Sequence, residues 1–193
     1  MGKSKAQRER LLGRSRPKLP YRILVDEDGA DRARQRLDVA NAAARQARLA
    51  DRGVAEALAE VEAAQAELDG CYETIVLRAL PLTGKVTVET LTAEHPPTPE
   101  QMAAGKKARE DARAAGDPVP PWPAWNDDTF RPALLSASAP DAGMSAEDWS
   151  EMLGSRMSAG EVRGLWAACL AINLTGRAAE PVVLPKGSTT TTS

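Results

Sequence analysis

The sequence predicts a mainly all-α protein: an N-terminal antiparallel helical hairpin or one long heptad helix, then a small C-terminal bundle of short helices, with disordered ends. Three observations point there. Apolar residues recur at alternating steps of three and four from Ala30 to Ala79, the spacing of a helical seam. Helix-start signals repeat through the second half, in Thr98-Pro99-Glu100-Gln101, in Ser145 with Asp148 and in Ser158 with Glu161. The chain is 42% hydrophobic but only 4% aromatic, with alanine supplying much of the apolar count; alanine favours helix yet buries little area.

The elements follow in order. Residues 1–22 hold eight Lys or Arg against one acid, Glu9, a net +7 that leaves −9 on the rest of a chain whose total is −2. Such a leader is expected to be solvated and disordered. Tyr21–Gly29 is a short apolar run closed by an Asp-Gly turn signal, read as a brief strand or extended lead-in. The seam then runs Ala30, Ala33, Leu37, Ala40, Ala44, Ala47, Asp51, Val54, Leu58, Val61, Gln65, Leu68, Tyr72, Ile75 and Ala79. Asp51 sets a charge on it two residues before Gly53, and glycine costs ~1 kcal/mol in a helix interior. Two helices, over about 30–50 and 54–79, are therefore favoured over one helix near 75 Å long at ~1.5 Å per residue. Pro81 ends the second.

Residues 86–94 fit either a strand or a short helix, and Pro96-Pro97 close them. Thr98 caps a charged helix that runs to about Ala115, with Pro99 at its first position and Gln101 completing a capping box. Gly116 with Asp117-Pro118 stops it, and "PVPPWPAW" (118–125) follows as a proline-stiffened connection. Three short helices come next, carrying Phe130, Leu134 and Leu135; Trp149, Met152 and Leu153; and Val162, Leu165, Trp166, Cys169 and Leu170, each set on one face. The resulting organisation is a leader over 1–22, a helical arm over 23–81, a connecting helix and linker over 82–121, a small helical domain over 122–176 and a flexible tail over 177–193.

The residues offer no reaction. One histidine excludes a histidine pair or a histidine-rich metal site, and His95 reads as a side chain held at a helix end by the prolines after it. There is no glycine-flanked nucleophile, phosphate loop or dinucleotide fingerprint. Cys71 and Cys169 are too few and too far apart in sequence for a disulfide framework, and both read as small core residues. Glu94 and His95 are adjacent, so they do not face each other. No catalytic residue, metal or cofactor is expected. The basic leader lacks base-stacking aromatics and the remainder is acidic, so specific nucleic-acid recognition is not expected. No run of about 18 apolar residues spans a bilayer, and the N-terminus lacks a signal-peptide core.

The order of the motifs resembles that of the tail assembly chaperones of long-tailed phages infecting high-GC actinobacterial hosts. The segments that carry it are "LRALP" (77–81), "LTAEHPPTPEQ" (91–101), "WNDDTFRPALLSASAPDAGMSAEDWSEML" (125–153) and "LWAACLAIN" (165–173), together mostly within residues 70–175. The resemblance implies a protein that is not an enzyme. It would bind the tape measure protein, and possibly the tail tube protein, before the tube polymerises. It implies a host-cytoplasmic location, absence from the mature virion, possible homo-oligomers, and a short form made beside a frameshift-extended one. It carries no catalytic residues. Phe130, Leu134, Trp149 and Trp166, the large apolar residues of the short helices, are the candidates for partner contact.

Overall fold

The computed structural model describes residues 2–175. Eight α-helices and a two-stranded sheet are found among them, so the mainly helical expectation holds. The tail expected over 177–193 lies outside the described residues.

Helix α1 (Gly2–Leu12) precedes strand β1 (Lys18–Leu24), which pairs with β2 (Tyr72–Arg78). The pairing is antiparallel: Val25 N–H donates to Cys71 O at 2.9 Å, and Ala79 N–H to Pro17 O at 3.0 Å. Two expectations are corrected here. Residues 18–22, assigned to the leader, belong to β1 because Leu19 and Ile23 alternate into the interior. Residues 72–78, assigned to the second arm helix, are strand. The run Thr74-Ile75-Val76 is β-branched, and it follows a helix that has already stopped at Gly70.

The chain divides into two compact units, residues 20–75 and residues 1–19 with 76–193. The first holds α2 (Glu27–Leu49) and α3 (Val54–Gly70). Asp26 caps α2 by accepting from Gly29 N–H at 2.8 Å. The expected break is present: Asp51 (φ 49°) and Gly53 (φ 68°) adopt left-handed backbone, and Gly53 opens α3. Ala30, Ala33, Ala40 and Ala44 of α2 and Ala64 of α3 are buried, and Arg36 of α2 pairs with both Glu60 and Glu67 of α3. The α2 seam matches its expected positions. On α3 the covered stripe is Val54, Ala57, Val61, Ala64 and Leu68, not the expected stripe through Leu58 and Gln65. Leu58 is 36% exposed. At the closest approach of two helices a methyl fits where a longer side chain does not.

The second unit holds α4 (Val88–Glu94), α5 (Pro99–Ala115), α6 (Asp127–Ser138), α7 (Ala146–Glu151) and α8 (Ala159–Leu170). Within 86–94, residues 88–94 are helix, because Thr87 caps α4 in a capping box with Thr90. The boxes at Thr98/Gln101, Ser145/Asp148 and Ser158/Glu161 all form. Ser145 N–H and hydroxyl hold the Asp148 carboxyl below its ordinary range. Each of α7 and α8 runs on into a wider π-helical turn, Met152–Arg156 and Ala171–Thr175. The core consists of Leu77, Phe130, Leu134, Leu135, Trp149, Leu165, Cys169 and Ile172, all essentially without solvent contact.

Candidate partner-binding surface

The one histidine and both cysteines are packed into the fold. His95 is the C-cap of α4: its N–H donates to Leu91 O at 3.1 Å, its carbonyl accepts from Asn126 N–H at 2.8 Å, and its ring meets Phe130 edge-on at 6.5 Å. Cys169 is fully buried. Burial pushes its thiol up to about 11, against opposing hydrogen bonds from Ser138 and Asn173. A thiol so placed is protonated at neutral pH and a poor nucleophile. Cys71, also buried, is set against Glu67 O at 3.3 Å. Among the described residues no three of the His, Cys, Asp or Glu side chains are grouped to hold a metal ion.

What the second unit does bring together is distant sequence. Leu77 is buried, Arg78 pairs with Asp141, and Leu80 N–H donates to Asn173 Oδ1 at 2.8 Å. Asn173 Nδ2 in turn donates to Ser138 Oγ and to Cys169 O, both at 2.9 Å. One amide thus joins the segment after β2, helix α6 and the end of α8. In the sequence Asn173 is only the last residue of "LWAACLAIN"; nothing there indicates a half-buried clasp.

Aromatic rings make the second junction. Trp125 stacks on Phe130 (4.5 Å, 21°), and Trp166 meets both edge-on at 6.3 and 6.0 Å. Arg131 lies over Trp166 at 5.6 Å and pairs with Asp127 at 3.0 Å, while Trp125 Nε1–H donates to the same Asp127 at 3.0 Å. Beside these rings, α6, the π-turn after α7 and α8 border a cleft of about 240 Å³. Pro132, Leu153 and Val162 supply its apolar lining, and Asp127, Asp128 and Arg131 its charges. That volume is below the ~300–1,000 Å³ of most small-molecule sites.

The four expected contact residues separate here. Phe130, Leu134 and Trp149 are at 0% exposure and belong to the core, so none of them can meet a partner in this conformation; Trp166 is half-buried at the edge of the ring cluster. Trp125, Arg131, Leu153 and Val162, which are not among those four, border the ring cluster or the cleft. The i,i+4 spacing of Asp127 and Arg131 was the one available signal.

Helix α5 has no buried residue. The proline-rich segment does not simply lead away from it but returns along one face. Gln101 Nε2 donates to Asn126 Oδ1 at 3.1 Å, Arg109 donates to Pro120 O, and Arg109 lies over Trp122 at 4.8 Å. Between these contacts a Cβ on Gly105 would sit 2.7 Å from Cδ of Pro123. Gln101, Gly105 and Arg109 recur every four residues, so one stripe of the helix receives the strap. Trp122 remains 49% and Met102 39% exposed. No helix among the described residues is long and apolar enough to cross a membrane.

No family model matches this chain, and neither a curated protein nor a solved structure shows significant similarity to it.

Proposed function

We propose that this chain is a tail assembly chaperone of a long-tailed actinobacterial phage. It binds the tape measure protein in the host cytoplasm, shields its apolar helical segments until the tail tube forms around them, and is absent from the finished virion. It makes and breaks no bond. On this reading α2 and α3 are an antiparallel hairpin that serves as an arm, and the half-buried rings and cleft of the second unit meet the client in a helix-in-groove manner.

The observation that carries the reading is the convergence of the segments that bear the family resemblance. "LRALP" meets the 125–153 segment through Arg78–Asp141 and "LWAACLAIN" through Leu80–Asn173. "LTAEHPPTPEQ" meets the 125–153 segment through His95–Phe130 and Gln101–Asn126. Motifs that recur in one order because they build one packed body are expected to touch. The buried, protonated thiol and the capping role of His95 also favour a binding protein over an enzyme. Co-expression with the tape measure protein is the test. The expected result is a soluble client recovered in complex with this chain; a client equally insoluble with and without it overturns the proposal.

A second reading draws on the alanine stripe of α2 and α3: a structural adaptor in which the arm is an oligomerisation strut of the particle. Mass spectrometry of purified virions separates the two, since an adaptor is retained and a chaperone is not.

A further inference from the structure

Proline is concentrated in the strap that lies on α5. Pro118, Pro120, Pro121 and Pro123 are four of six consecutive residues. A proline ring fixes its own φ near about −65° and pushes the residue before it into extended backbone. The preceding residues here are Asp117, Val119, Pro120 and Trp122. Every position from 117 to 123 is thereby restrained towards polyproline II geometry, which makes no internal hydrogen bonds. Accordingly 117–123 is neither helix nor strand.

Polyproline II repeats every ~3 residues, and the contacts of the strap keep that period. The Pro120 carbonyl accepts from Arg109, and the Pro123 ring lies against Gly105. Both prolines are half-buried, so one ridge seats on α5. The other two ridges carry Pro118 with Pro121 and Val119 with Trp122, and all four side chains are exposed. Negative charge flanks them. Asp117 precedes the prolines and Asp128 follows the strap, both exposed and neither paired with a cation among the described residues.

We propose that the strap is itself a ligand. Pro118, Pro121 and Trp122 enter an aromatic-lined groove on another protein, one that reads proline-rich segments and has a basic rim facing Asp117 and Asp128. A segment already restrained and held down on α5 loses little conformational freedom on binding. The inference involves neither the tape measure protein nor the ring cluster, and goes beyond the chaperone reading.

The test is titration of the full chain into ¹⁵N-labelled SH3, WW and EVH1 domains, aromatic-grooved readers of proline-rich segments, each chosen with Lys or Arg at the groove rim. The expected result is amide shifts confined to the groove of at least one domain, saturating with added chain. Trp122→Ser, and separately Pro118→Ala combined with Pro121→Ala, are each expected to weaken that binding about tenfold or more while helix content stays unchanged. Asp117→Lys is expected to weaken it severalfold at low salt. Leu82→Ser, which removes an apolar side chain 94% exposed elsewhere in the same unit, is expected to leave it unchanged. No groove shifts in any of the three domains overturns the proposal. So does binding that survives the strap variants, that Asp117→Lys leaves unchanged or tightens, or that Leu82→Ser weakens equally.

Discussion

Helices α2 and α3 meet along alanines; α6, α7 and α8 meet along Phe130, Leu134, Leu135, Trp149 and Leu165. The first contact is longer and the second is thicker. Burying a large apolar side chain is worth ~1.5–3 kcal/mol, and alanine a fraction of that. The ion pairs that flank the alanine stripe do not close the gap. Arg36, Glu60, Glu67, Arg22 and Asp69 are all between 45% and 65% exposed, where solvent screens such pairs to little net stabilisation. The difference teaches that length of contact is a poor guide to where this chain stores its stability. The C-terminal unit is the anchor, and the α2–α3 unit opens at lower cost.

The sharpest way to break that comparison is truncation of the core. Phe130→Ala removes a ring with no solvent contact that touches His95, Trp125 and Trp166; a loss of ~3–5 kcal/mol is expected in denaturant unfolding. Leu58→Ala, on the outer side of α3, is expected to fall within about 0.5 kcal/mol of the parent. Equal losses from both would remove the distinction between the regions. Next in size is Ala64→Leu, which inserts three carbons where the helices leave no space. It is expected to cost ~1–3 kcal/mol, confined to the α2–α3 unit, as read by native-state hydrogen exchange.

Gly105→Ala opposes two effects. Alanine gains up to ~1 kcal/mol of helix propensity, but its methyl collides with the Pro123 ring. Segment 118–125 has no regular structure of its own, so the strap is expected to lift while α5 persists. The net change in stability is expected to be small, with increased hydroxyl-radical labelling of Trp122. The smallest effect is alkaline. The Cys169 thiol rises from its ordinary 9.0 to about 11 on folding, so between those values the unfolded chain has lost a proton the native one keeps, and stability falls as pH rises. It is fully retained below about 9, and Cys169→Ala is expected to flatten the decline over that window.

The same contrast explains what the sequence made legible. Capping boxes are local: hydroxyl, carboxyl or amide and backbone lie within four residues, so Thr98/Gln101, Ser145/Asp148 and Ser158/Glu161 were readable, as was the break at Asp51 and Gly53. The register of α3 was not. In a helix with alanine at 55, 57, 59, 63, 64 and 66 several stripes fit the spacing, and only the distance to α2 selects Ala57 and Ala64. Strand β2 was hidden because Tyr72, Ile75 and Ala79 happened to keep the helical stride; its β-branched run was the signal to weigh. The candidate surface was half legible. Large apolar residues were located on the right helices, but core and interface demand the same chemistry. Only the fold decides that Phe130, Leu134 and Trp149 face inward while Trp125 and Trp166 reach the edge. Asn173 was invisible for the opposite reason, since each of its partners outside α8 lies 35 or more residues away.

The central claim is that this chain acts by occupying surface on another polypeptide rather than by turnover. Light scattering of the tape measure protein diluted from denaturant, titrated with this chain, tests it most directly. Suppression that rises with added chain and saturates near a fixed stoichiometric ratio is the predicted result. Unchanged aggregation at every ratio, or suppression completed by a small fraction of an equivalent, contradicts it.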